Sequence, residues 1–187
     1  MARSLNGSTQ RLEKTGFQNV VLPVSISLRF YANSTSGFQR IAIWATGSGS
    51  PTGASVLLNY PSAGYVANQV YNGFTNSLPY SASTISTGQW HHALVVSGAT
   101  QAITYLDGVA GTPSGTYSTA TYTNATVFTI GAMVGGGSQL FNGRVCEVGV
   151  YSAELTAADA AALADGYTPP QIRPSVLAAY YPLGGHY

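Results

Sequence analysis

The side chains that could do acid–base work are few: Glu13, Asp107, Glu147, Glu154, Asp159 and Asp165 are the only carboxylates in the chain. Glycoside hydrolysis needs two of them flanking one bond, one as acid and one as nucleophile or base. No two lie at i, i+2 or i+4 within one strand-like run. Asp107 precedes a glycine in a turn, Glu154 marks a bend, and Asp159 and Asp165 fall in an alanine-rich segment. Glu147 alone sits in an apolar alternating run, and one carboxylate does not make the site. No catalytic residue is assigned, and the chain reads as a non-enzyme.

Other chemistries fare no better. His91 and His92 are adjacent, so in a strand they point to opposite faces and cannot share one ion. His186 stands far from both, and zinc needs three or four converging ligands. Asp107 with loop carbonyls is the best calcium candidate, yet a turn aspartate is the simpler explanation. No metal site and no cofactor are therefore expected. Serines abound, but no Gly-x-Ser-x-Gly elbow is present. Cys146 is the single cysteine, lies in an apolar run and reads as a small buried hydrophobe. Binding is better supported. Tyr60, Tyr65, Tyr71 and Tyr80 lie in or beside long loops, and Asn68, Gln69, Asn72 and Asn76 add neutral hydrogen-bonding groups. Aromatic faces stack on sugars and anchor protein interfaces equally well, so these four tyrosines are the candidate ligand-binding residues.

Those side chains need a scaffold, and the apolar pattern supplies one. Candidate strands occur at 4–5, 11–12, 24–31, 40–45, 55–60, 65–71, 89–97, 101–106, 127–132, 143–151 and 176–183, and several alternate with period two. In 24–31, Ile26, Leu28 and Phe30 share one face. Asp107-Gly108 between apolar runs predicts a hairpin turn with positive φ at both residues. Alanines between Leu155 and Gly166 predict one short helix, capped by Thr156 with Asp159 in its first turn and ended by Gly166. Gly, Ser and Thr fill the connections 46–54, 72–88, 111–124 and 134–138. The expectation is a two-layer antiparallel jelly-roll sandwich, one domain over residues 1–187, with its first and last strands paired.

Composition narrows the setting. Only 7% of residues are charged, while 45% are hydrophobic, so the fold is ordered and its polarity is neutral. A formal net charge of +1 gives no footprint for nucleic acid or acidic membranes. No run approaches a membrane span, and the opening residues lack the apolar core of a signal peptide. A lone cysteine argues against a disulfide-built secreted module.

The order of motifs resembles the laminin-G-like branch of the concanavalin A-like lectin/glucanase superfamily. The resemblance rests on Ser4-Leu5-Asn6-Gly7-Ser8, Trp90-His91-His92, Tyr105-Leu106-Asp107-Gly108, Phe141-Asn142-Gly143-Arg144-Val145-Cys146-Glu147 and the helix after Leu155. Cys146 stands where the family carries Asp, which puts any role of that residue in a polar or calcium-bearing rim in doubt. The closing Val176-Leu177-Ala178-Ala179-Tyr180-Tyr181-Pro182-Leu183 resembles phage-encoded members. That likeness implies a non-catalytic structural or binding protein of a phage virion. It would decorate or cement the capsid or sit on a fibre, as a homo-oligomer whose partners are other virion proteins. The alternative is a stand-alone carbohydrate-binding lectin module that takes a cell-surface glycan. Neither nucleic acid nor membrane is an expected partner.

Overall fold

The computed structural model describes residues 2–17, 21–46, 53–71, 76–114 and 125–184. The alternating runs pair into two antiparallel sheets. The first runs β1 (Arg3–Asn6), β12 (Asn142–Tyr151), β3 (Val24–Ala32), β8 (Trp90–Ser97), β9 (Ala102–Leu106) and β10 (Val109–Ala110), with β13 (Leu177–Tyr181) also on β12. The second runs β2 (Leu12–Lys14), β11 (Val127–Ile130), β4 (Gln39–Ala45), β5 (Gly53–Leu58), β6 (Val66–Tyr71) and β7 (Asn76–Ser77). The two-residue β7 and β10 are too short to show a period, and sequence patterning misses both.

Inner faces make the core. Ile26, Leu28 and Phe30 of β3 meet Ala42, Trp44, Val56 and Leu58 of β4 and β5, all buried. Each large side chain buried this way contributes about 1.5–3 kcal/mol. One polar residue crosses the layers. Buried Asn68 of β6 donates to the Val96 carbonyl at 3.0 Å and to Ser97 Oγ at 3.2 Å, tying the sheets together. Its candidacy as a binding amide therefore gives way to a structural role, because a ligand cannot reach it.

The outer face of the first sheet is divided in two. Leu94, Val96, Tyr105 and Tyr151 pack under Leu155, Ala160 and Leu163 of the helix α1 (Ala157–Ala164) and its flanks. The helix forms where alanine content requires it and begins with a capping box. The Asp159 N–H donates to Thr156 Oγ1 at 3.2 Å, and the Thr156 N–H donates to Asp159 Oδ2 at 2.8 Å. Its C-terminal carbonyls of Leu163 and Ala164 accept from Arg29 at 2.7 and 3.1 Å, a cation placed at the negative helix end. Beyond Arg29, Tyr31, Trp90 and Arg144 stay half-exposed. No helix is long and apolar enough to cross a membrane among the described residues.

Two details depart from simple alternation. The expected pairing of first and last strands does not occur. β1 pairs with Asn142–Val145 of β12 and β13 with Val148–Tyr151, so both lie end to end along one strand ten residues long. That length lets one strand serve two partners. Between them the β12–β3 register shifts from Cys146↔Arg29 to Gly149↔Ser27. Glu147, with φ at 52°, is the bulged residue that absorbs the shift. The Asp107–Gly108 hairpin has φ of 49° and 80° and joins Leu106 to Val109, as two-residue turns of this hand demand.

Candidate functional site

One end of the sandwich gathers the amides. The β1–β2 loop, the β3–β4 loop and the chain before β12 converge on Asn142 at this rim. Asn142 Oδ1 accepts from Asn33 Nδ2 at 3.0 Å, and its backbone N–H donates to Gln39 Oε1 at 2.9 Å. Gln39 in turn donates to the Ser34 and Ser36 carbonyls, both at 3.1 Å, which shapes the β3–β4 loop. Asn6 Oδ1 accepts from the N–H groups of Ser8, Thr9 and Gln10 at 3.1, 2.9 and 3.1 Å, folding the β1–β2 loop tightly. Gly7, at φ 68°, lies so near Asn142 that a Cβ there would stand 2.7 Å from the asparagine Cβ. Only glycine permits that approach.

Two open grooves meet at Asn142. The first, of 450 Å³, is lined by Ser4, Asn6, Gln10, Asn33, Asn142 and Arg144. The second, of 350 Å³, is lined by Ser34, Ser36, Phe38, Ser138, Gln139 and the same Asn142. Neither is lined by a carboxylate. Amides and hydroxyls both donate and accept, which suits a ligand edged with hydroxyl groups. An aromatic pair stands beside each groove. Phe38, exposed at the second groove, meets Tyr60 edge to face with centroids 6.4 Å apart. Beside the first groove, Tyr31 and Trp90 meet at 5.8 Å and 64°. Cross-strand register sets them in one row, Ser4–Arg144–Tyr31–Trp90, on the outer face of the first sheet.

The four tyrosines singled out from the sequence do not form one cluster. Tyr60 borders the second groove through Phe38. Half-buried Tyr65 and exposed Tyr80 meet edge to face at 5.4 Å and 81° near the same end, on the β6 side. Tyr71 lies at the opposite end of β6, paired in register with Gly53. Gln69 accepts from the buried Arg40 at 2.8 Å and is a support rather than a free amide. Asn72 lies outside the described residues, as do the Asn76 side chain and His186. Sequence reasoning missed Asn33, Asn142, Tyr31, Trp90 and Arg144 as site residues. Their shared face follows only from strand register.

The residues with catalytic potential are occupied. Glu147, 5% exposed, accepts from the Tyr180 hydroxyl at 2.5 Å. Ser27 Oγ and His92 Nε2 are 2.9 Å apart, a nucleophile-to-base distance, but they are 1% and 3% exposed and no substrate reaches them. Burial, with the nearby Arg29 charge second, pushes the His92 pKa down to about 3 and keeps the ring neutral. His91 points the other way, toward Phe30. Its Nδ1 lies 2.7 Å from Asp107 Oδ2, and Asp107 Oδ1 accepts from the His92 N–H at 2.7 Å. Among the described residues no three His, Cys, Asp or Glu side chains come together as a metal site.

Two antiparallel sheets packed face to face, with one helix on the outer side, define a β-sandwich of the jelly-roll class. Residues 6–161 match the laminin-G family model described as the concanavalin A-like lectin/glucanases superfamily, and the chain belongs to that family. No curated protein matches the sequence. Among solved structures, a putative carbohydrate-binding protein from Bacteroides ovatus superposes with a TM-score of 0.70 at 16% identity. It covers 99% of this chain, which spans only 53% of that one. The native heptameric SAP-like pentraxin of Limulus polyphemus gives 0.64 at 17% identity, covering 86% of this chain and 80% of its own. The Ruminococcus gnavus IT-sialidase CBM40, bound to α2,3-sialyllactose, gives 0.63 at 13% identity over 84% and 100%. At such identities the likeness shows the fold alone.

Proposed function

We propose that the chain is a non-catalytic glycan-binding domain whose ligand lies across the two grooves that meet at Asn142. The observation that carries this is the rim itself, where amides and hydroxyls from separated segments line two grooves that share Asn142, with an aromatic pair beside each. Sugars present hydroxyl edges to such amides and apolar C–H faces to such rings. Carbohydrate-binding neighbours of the same fold support the reading. So does the burial of the strand carboxylate Glu147 against Tyr180, which leaves no acid–base pair at the rim. Tyr60 belongs to this surface through Phe38, and Tyr65 with Tyr80 extends it. A glycan array tests the proposal. Wild type binds a defined set of glycans without cleaving them, and Asn142→Ala weakens that binding by about tenfold, the worth of one or two good hydrogen bonds. Absence of any bound glycan, or turnover of one, overturns it.

A second reading concerns where such a domain works. It is a phage-particle surface protein, either decorating the capsid or attached to a fibre, with copies of itself and other virion proteins as neighbours. Support comes from a chain only 7% charged with 13 tyrosines, since interface cores are poor in charge and rich in tyrosine. The closing segment's likeness to phage-encoded members adds to it. Mass spectrometry of purified particles tests this, and absence of the chain from them overturns it.

A further inference from the structure

Arginine is scarce in this chain, and the placing of five of the six is informative. Of seven basic residues, four are held by the protein itself. Arg11 lies 3.8 Å from Glu13, and Arg173 lies 3.8 Å from Asp159. Arg29 caps α1 through the Leu163 and Ala164 carbonyls. Arg40 is bound by Ser55, Gln69 and Gln139. Arg144 differs. It lines the 450 Å³ groove, and no ion pair among the described residues involves it. Its guanidinium carbon sits 3.9 Å from the Tyr31 ring centroid and 5.7 Å from that of Trp90.

That geometry has a chemical meaning. Stacking on a ring engages the flat face of a guanidinium and leaves its N–H edges for in-plane acceptors. The fork of those N–H groups matches the paired oxygens of a carboxylate or sulfate. Stacking also fixes the side chain beforehand, so less conformational entropy is lost when an anion binds. The wall of the same groove is Ser4, Asn6, Gln10, Asn33 and Asn142, neutral groups that suit sugar hydroxyls and add no competing negative charge. We infer that Arg144, stacked on Tyr31 in the Asn142 groove, is the anion-recognising residue for an acidic glycan, one whose sugar carries a carboxylate or a sulfate ester. This rests on the glycan-binding reading and names the ligand class within it.

The experiment is an array of glycans printed in matched neutral, uronate-bearing and sulfated forms, probed with wild type, Arg144→Gln, Arg144→Lys, Asn142→Ala and Lys14→Gln. Lys14, on the edge strand of the other sheet, removes a cation without touching the groove. The melting temperature of each variant is read in parallel. Wild type binds acidic members over their neutral counterparts, and preference for the uronate or the sulfated series tells which anion is used. Arg144→Gln loses about tenfold or more of that binding while its melting stays close to wild type. Arg144→Lys keeps part of it, because the charge survives and the fork does not. Lys14→Gln binds as wild type does. Equal binding of neutral and acidic members overturns this inference and leaves the glycan-binding proposal standing. So does acidic binding that Arg144→Gln retains, or that Lys14→Gln reduces as much. Binding of nothing on the array overturns both.

Discussion

The hydroxyl of Tyr180 donates to Glu147 Oε2 across the β12–β13 pair, 2.5 Å away. This bond holds the bulged residue of β12 and docks the last strand beside it. Burial, reinforced by the carboxylate that accepts its hydrogen, raises the Tyr180 pKa above the ordinary phenol value. The β12 carboxylate that could have suggested hydrolysis is thus a fastening. Tyr180→Phe leaves the buried carboxylate short of a partner and costs about 2 kcal/mol, the worth of a hydrogen bond to a charged group. Urea unfolding measures it. An unchanged midpoint would show that the bond holds nothing.

Stability should fall between pH 6.5 and 4, and one residue accounts for it. The unfolded chain protonates a histidine near pH 6.5, whereas buried His92 resists protonation down to about 3. Unfolding therefore takes up a proton throughout this window, and stability drops by about 1.4 kcal/mol per pH unit. His91 does not interfere. Its pKa is raised by the hydrogen bond to Asp107, so its contribution is complete below 6.5 and is lost only as pH rises through the folded value. Burial alone would raise the Asp107 pKa, but its hydrogen bonds to His91 and His92 prevail and lower it. Its contribution therefore stays in place above the ordinary 3.8 and is lost as pH falls through the folded value. Urea melts of wild type and His92→Gln at pH 4, 5 and 6.5 separate the effect, since the variant should lose most of the slope. Equal slopes would contradict it.

Arg40 organises the outer face of the second sheet. Its Nε and two Nη groups donate to Gln139, Ser55 and Gln69 at 2.9, 2.7 and 2.8 Å, and burial lowers its pKa to about 10, still cationic at neutral pH. Arg40→Ala strips three polar groups of their partner and empties the space, for about 3 kcal/mol. Because Gln139 lines the second groove, this variant should also weaken glycan binding beyond what its melting temperature explains. A variant as stable as wild type would show that the network is dispensable.

Calcium should not change folding. Both Asp107 oxygens are engaged, one by the His92 N–H and the other by His91 Nδ1. A cation would have to displace them. Melting in excess calcium and in chelator should coincide. A clear rise with calcium that Asp107→Ala abolishes would contradict this.

Much of the scaffold was legible in the chain. The Asp107-Gly108 turn and the Thr156–Asp159 capping box are local, so neighbouring residues suffice to show them. The two-sheet sandwich follows from period-two runs, which β3 obeys, whereas β8 is mostly apolar on both faces because α1 and its flanks cover its outer side. The β12 bulge at Glu147 was not legible, because an inserted residue reads as one more step of alternation. Nor was the docking of both terminal strands on β12, which depends on that strand's length and register. The groove was hidden for a related reason. Asn6, Asn33 and Asn142 lie in three separated segments, and only strand pairing brings them together. Tyr31 and Trp90 looked like ordinary strand residues, because whether an outer face is covered depends on where α1 settles. Loop position drew attention to Tyr65, Tyr71 and Tyr80, but position alone could not say which tyrosines share an end of the sandwich.

Chemical-shift mapping of the ¹⁵N-labelled protein, titrated with the best glycan from the array, tests most directly that binding occurs at the Asn142 rim. The amides of Asn33, Ser138, Asn142 and Arg144 and the indole N–H of Trp90 should move together along one saturating curve, and Asn142→Ala should move that curve to about tenfold higher glycan concentration. Shifts confined to Tyr71 and the far end of β6, or none at saturating glycan, would contradict it.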